Sequence, residues 1–190
     1  MSGAADDRAA LVAELERLER AFRERAGSLS PEAWSWRPDA RTWSAGEIVD
    51  HLARTNVIYL AALEPALAKL RARSSRVSGP LAPRWAGRLF LGQLEPPPRY
   101  RVPAQRKLRP AARVEPAATW DDFSGAQRRV IDLTRATAGL DPASIRFRNP
   151  VAFDLPVFDL ATGLLIVAAH ERRHLHQLDR LKSHPGFPTA

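Results

Sequence analysis

The chain has 190 residues, 45% of them apolar and 26% charged, the composition of a folded protein with its own core and not of a disordered one. It has no cysteine, which excludes disulfides, thiolate metal ligands and a cysteine nucleophile, and suits a cytoplasmic protein. The formal net charge is +8, no apolar run reaches the roughly 18 residues of a membrane span, and the N-terminus lacks the basic start and apolar block of a signal peptide.

Residues 1–190 read as one domain. The first predicted helix runs from about Asp6 to Arg25, because Leu11, Leu15, Leu18 and Phe22 recur at three- and four-residue steps, and Gly27 ends it. Ser30-Pro31 has the form of an N-cap with proline at the first helical position, so a short helical turn follows. The second long helix opens at Ser44, where Ser44-Ala45-Gly46-Glu47 makes a capping box. Ile48, Leu52, Ile58, Leu63 and Leu67 give it an apolar side, and Pro65 should kink or divide it.

Residues 71–118 read as an extended, proline-rich crossover. Only Trp85 to Leu94 looks helical there, with Trp85, Leu89 and Phe90 sharing a face. Between Lys69 and Arg113 stand 12 lysines and arginines and a single acid, Glu95, a net of +11 against +8 for the whole chain. A solvated arginine-rich loop is the plain reading; an arm that draws anions is the functional one. Nucleic acid is not the expected partner, because no recognisable binding module accompanies the charge. The third long helix should cover about Trp120 to Ala138, N-capped by Thr119 and stopped by Gly139. RFRNPVAFDLP is a proline-bounded connector, and the fourth long helix runs from about Val157 to Lys182. Four long amphipathic helices with few strand signals predict an all-α, four-helix bundle with one long crossover.

AAHERRHLHQLDRL, from Ala168 to Leu181, holds three of the five histidines. His170 and His174 stand four apart, so a helix aims both imidazoles one way. Gly163, Val167, Gln177, Leu178 and Leu181 share that direction, which places the pair on the core-facing stripe, while His176 projects elsewhere and His184 lies beyond the helix. His51 points inward from the second helix, beside Ile48, Thr55, Ile58 and Ala62. Buried imidazoles need partners, and a divalent metal satisfies several acceptors at once. Core histidines bonded to neighbouring polar groups are the plain alternative.

Two stretches carry a resemblance. SWRPDARTWSAGEIVDHL and NPVAFDLPVFDLATGLLIVAAHERRHLHQLDRL, with tryptophan-serine, glutamate, histidine-leucine and a distant HxxRHxxQ, resemble the DinB/YfiT-like superfamily of metalloenzymes over most of the chain. The resemblance implies an up-down-down-up four-helix bundle and a divalent metal on three histidines, carried here by His51, His170 and His174. It also implies a reaction class: characterised branches include S-transferases using mycothiol, bacillithiol or related low-molecular-weight thiols, some isomerases, and metal-dependent hydrolases.

Zinc is the default ion for three imidazoles, with nickel, iron, cobalt and manganese as other choices. A metal-activated thiolate would make the protein an S-transferase-like enzyme on a small-molecule substrate, with a low-molecular-weight thiol as cosubstrate. Activated water would make it a hydrolase. The non-enzymatic alternative is a metal-stabilised bundle whose basic arm meets an acidic partner. Among the neighbours, Gln177 either orients a metal-bound water or a ligand histidine or makes an interhelical hydrogen bond, and Arg173 either meets an anionic substrate group or pairs with an acid on another helix. Glu47 is assigned to the capping box ahead of a second role near the metal. Glu171 and Arg172 are expected to face solvent. Trp36 and Trp43 read as packing residues, Asn149 as a turn residue that could line the mouth. A homodimer is the expected assembly.

Overall fold

The computed structural model describes residues 3–73, 78–97, 104–151 and 158–188. Among them are six α-helices and one two-stranded sheet. Helix α1 spans Gly3–Ala26, α2 Pro31–Ser35, α3 Ala45–Ala72, α4 Trp85–Leu94, α5 Pro116–Arg135 and α6 Leu160–Lys182. Strands β1, Arg146–Phe147, and β2, Phe158–Asp159, pair antiparallel with Arg146 opposite Asp159.

Local chemistry sets most of these boundaries. The α1 stripe of Leu11, Leu15, Leu18 and Phe22 is buried throughout. Ser30 Oγ accepts from Ala33 N at the start of α2. At the start of α3, Ser44 Oγ accepts from Glu47 N at 3.2 Å while Glu47 Oε2 accepts from Ser44 N at 2.9 Å, the reciprocal capping box. Asp159 Oδ1 caps α6 by accepting from Thr162 N at 2.7 Å.

Several expectations are amended. Helix α3 is not divided at Pro65 but continues to Ala72, held by the burial of Leu63, Ala66, Leu67 and Leu70 around the proline. Helix α5 starts a turn before Trp120. Pro116, whose fixed φ and missing N–H suit the first helical position, opens it, and Thr119 lies inside the helix with its hydroxyl donating to Glu115 O. It ends at Arg135, and the chain then turns through Gly139 at φ 72°, a conformation that favours glycine. The stretch from Arg146 is more than a connector, since its ends pair as β1 and β2; the expected start of α6 at Val157 falls outside the described residues.

Helix α4 has the expected bounds but not the expected face. Phe90 packs on Phe158, whereas Trp85 is 71% and Leu89 64% exposed. Gly87 explains the rotation: a Cβ there would lie 2.6 Å from Thr162 Oγ1, so α4 turns its glycine toward α6 and Trp85 and Leu89 outward.

Helices α1 and α3 each pack on both α5 and α6, so the long helices alternate around a common core. Helices α3 and α6 run antiparallel, with Asn56 meeting Glu171 near the middle of both and Leu63 against Gly163 further along α3. The crossover is tied back by Arg8. This buried α1 side chain donates to Thr137 Oγ1 at 2.9 Å, to Leu140 O at 2.9 Å and to Gly79 O at 3.0 Å. It thereby serves carbonyls beyond the C-terminal end of α5 and the start of the crossover together. Replacing Arg8 by methionine leaves those buried acceptors unmet and is expected to lower the unfolding free energy by about 2–3 kcal/mol, read by urea denaturation.

Candidate metal centre

The three histidines foreseen in the sequence meet. His170 Nε2 lies 3.2 Å from His51 Nε2 and 3.0 Å from His174 Nε2, and one ring nitrogen from each falls within 4.8 Å of the others. The antiparallel run of α3 and α6 brings His51 across to His170, and the one-turn spacing stacks His174 beside it. His51 and His174 are buried; His170 keeps an edge toward solvent.

Two of the rings are oriented from behind. His51 Nδ1–H donates to the backbone carbonyl of Leu108 at 2.6 Å, and His174 Nδ1–H donates to Gln177 Oε1 at 2.9 Å. Each bond fixes the tautomer that leaves an Nε2 lone pair facing the centre. Leu108 belongs to a 3-10 turn, Arg106–Leu108, in the crossover. That segment is held on α3 by the residue next to His51: Asp50 Oδ2 accepts from Ala111 N at 2.8 Å and from Arg54 Nε at 2.7 Å. A convergent, nitrogen-only donor set with two lone pairs aimed inward fits a divalent cation of the borderline type.

Electrostatics keep these rings neutral. Burial lowers the pKa of His51 against the opposing pull of Leu108 O and Asp50. Burial lowers His170 and His174 further, helped by the neighbouring histidines and by the charge of Arg173. Neutral imidazoles are the metal-binding form.

A family model of the DinB superfamily matches residues 14–178. The chain belongs to the DinB superfamily. Comparison with curated proteins and with solved structures gave no match. Within this DinB chain the matched span includes all three histidines, and the cluster they form is compatible with a divalent-metal site.

The neighbours divide. Gln177 Oε1 accepts from His174 on the same helix, so this contact is not an interhelical one. Arg173 Nη1 donates to Gln93 O at the end of α4. Glu47 is spent on the capping box and on an ion pair with Arg37. Trp36 packs on His184 and Phe187, as a packing residue should. Trp43 does more than pack at a helix entry: its ring lies 4.7 Å from that of His51 and is stacked at 6.0 Å on His174, walling one side of the cluster. Asn149 is fully buried, its Oδ1 accepting from Tyr59 Oη and from Val151 N, as a turn residue does. His176 and His184 stay outside the cluster.

Glu171 and Arg172 overturn the solvent-facing expectation. Arg172 is half-buried between Glu95 and Glu14. Glu171 is 0% exposed; Oε1 accepts from Asn56 Nδ2 and Oε2 from Gln127 Nε2, both at 2.9 Å. The reason is that α6 packs on α1, α3 and α4 and has little solvent face here. Burial pushes the Glu171 carboxyl up to about 8, against the two amide hydrogen bonds.

The sign of the resulting pH dependence follows from proton counts. Below pH 8 folded Glu171 holds a proton that the unfolded chain has lost, so stability falls as pH rises toward 8. The depressed histidines act oppositely: their contribution is lost as pH falls below about 6.5. Metal-free protein is therefore expected to be most stable near neutrality and to lose about 1 kcal/mol between pH 7 and 8. Glu171→Gln should flatten that last slope in denaturation curves; an unchanged slope would assign it to another group.

Proposed function

We propose that the chain is a metal-dependent enzyme in which His51, His170 and His174 hold one divalent cation and leave further positions for a small-molecule substrate. The observation that carries this reading is the convergence of three Nε2 atoms, two of them with tautomers set from behind. The alternating contacts of the long helices and the antiparallel α3 and α6 support an up-down-down-up four-helix bundle as the frame. Zinc is the first choice of ion, with nickel, iron, cobalt and manganese also suited to imidazole.

A cation held there would supply Lewis acidity, lowering the pKa of a thiol or of water so that either becomes a nucleophile near neutral pH. We take a low-molecular-weight thiol as the first reading, an S-transferase-like reaction, and water, hence hydrolysis, as the second. The chain's own residues prepare the site in either case. Leu108 and Gln177 aim His51 and His174. The Trp43 ring excludes water along one flank. The charge of Arg173, which acts on both His170 and His174, favours an anionic group of the substrate at the same place. Absence of cysteine suits work in the cytoplasm, and none of the described helices is long and apolar enough to cross a membrane. Pairing into a homodimer is part of the same proposal.

A non-enzymatic reading draws on the exposed Arg106, Lys107, Arg109 and Arg113 of the crossover, which would give salt-sensitive binding of an acidic partner. Metal analysis and turnover separate the two. Untagged protein is expected to carry about one metal per chain, lost in His174→Ala, and Gln177→Ala is expected to bind it roughly 10- to 100-fold more weakly. Metal-loaded protein should turn over small electrophiles only with thiol present. Equal turnover without thiol would point to hydrolysis, and a wild type that takes up no metal on titration would remove the centre.

A further inference from the structure

His51 and His174 each have an acceptor behind them; His170 does not. Its Nδ1 is buried and has no hydrogen-bond partner. If Nε2 gives its lone pair to a cation, Nδ1 must carry the ring proton, and a histidine ligand almost always donates that proton to an outer acceptor.

A complementary orphan lies across the interface. Thr55 Oγ1 is buried and likewise has no partner. Thr55 sits one turn after His51 on α3, the face turned toward α6. Contacts bracket it on both sides: His51 Nε2 lies 3.2 Å from His170 Nε2, and Asn56 Nδ2 lies 2.9 Å from Glu171 Oε1. The α6 residues engaged by these flanking contacts are His170 itself and its neighbour. A ring nitrogen without a partner and a hydroxyl without a partner thus share one short stretch of the α3–α6 interface. Neither makes a direct hydrogen bond; a single water that accepts from one and donates to the other would satisfy both.

We propose that Thr55 is the outer partner of His170, linked through one ordered water from Nδ1–H to Oγ1, and is therefore a positioning residue of the metal centre. This rests on the three-histidine reading given above. The test uses zinc ion alone, with affinity measured by chelator competition on wild type, Thr55→Val and Thr55→Ser. Valine keeps the shape and removes the hydroxyl; serine keeps the hydroxyl. The valine variant is expected to bind zinc about 10-fold more weakly or worse, and serine to restore most of the loss. In nitrogen-15 spectra of the zinc-loaded protein the His170 Nδ1–H signal should be protected in wild type and Thr55→Ser and lost to exchange in Thr55→Val, with His51 and His174 unchanged. Metal-free Thr55→Val should melt at or above wild type, because an unpaired hydroxyl has left the core, which separates weaker binding from a damaged fold. Equal zinc affinity and an unchanged His170 signal in Thr55→Val would overturn the Thr55 assignment alone. A wild type that binds no zinc would overturn the centre and the assignment together.

Discussion

The carboxyl group of Glu171 has to find hydrogen-bond partners where the four long helices meet, and the helices are arranged so that it does. Asn56 reaches it from α3 and Gln127 from α5, while the same Gln127 amide also donates to Leu15 O on α1. One polar cluster therefore touches α1, α3, α5 and α6. An apolar core tolerates sliding; a buried carboxyl does not, because a shift of one turn would strand it without partners. His170 is the adjacent residue. The register that satisfies Glu171 is the register that sets His170 opposite His51.

A second constraint comes from the crossover. The lone pair of His51 is aimed by a carbonyl at Leu108, and that turn is kept in place by Asp50 receiving Ala111 N. The proline-rich segment thus helps to orient the histidine cluster from behind, although its described side chains are mostly exposed. Arg8 secures its other end near Gly79. What looked like a charged loop supplies backbone groups to the site, and its charge is a separate property.

Much of this was legible in the residues. Apolar steps of three and four gave the long helices, the Ser44–Glu47 box gave the start of α3, and the HxxxH spacing with an inward His51 gave the cluster. The failures share a cause. The helical wheel assumes one buried side, but α6 is covered on several, so Glu171 went to solvent in the reading and to the core in the structure. Trp85, Leu89 and Phe90 were put on one face by apolar character alone, whereas the tight approach of Gly87 to Thr162 turns Trp85 and Leu89 out while Phe90 packs on Phe158. Leu108 acts through its carbonyl, which every residue possesses, and Trp43 acts from outside a helix, where no period marks a face. Leu108 therefore leaves no signature in the sequence, and Trp43 is marked there only by the Trp43-Ser44 pair of the family resemblance.

The pairings that build the centre span long stretches of chain: His51 to Leu108 is 57 residues, and His51 to His170 is 119. Contacts of that separation pay a large loop-closure entropy and form only after local helices exist and have docked. The centre is consequently a product of folding and not its nucleus. A nascent chain cannot bring the three nitrogens together until α6 has been made and packed on α3, so the donor set exists only once those two helices have docked.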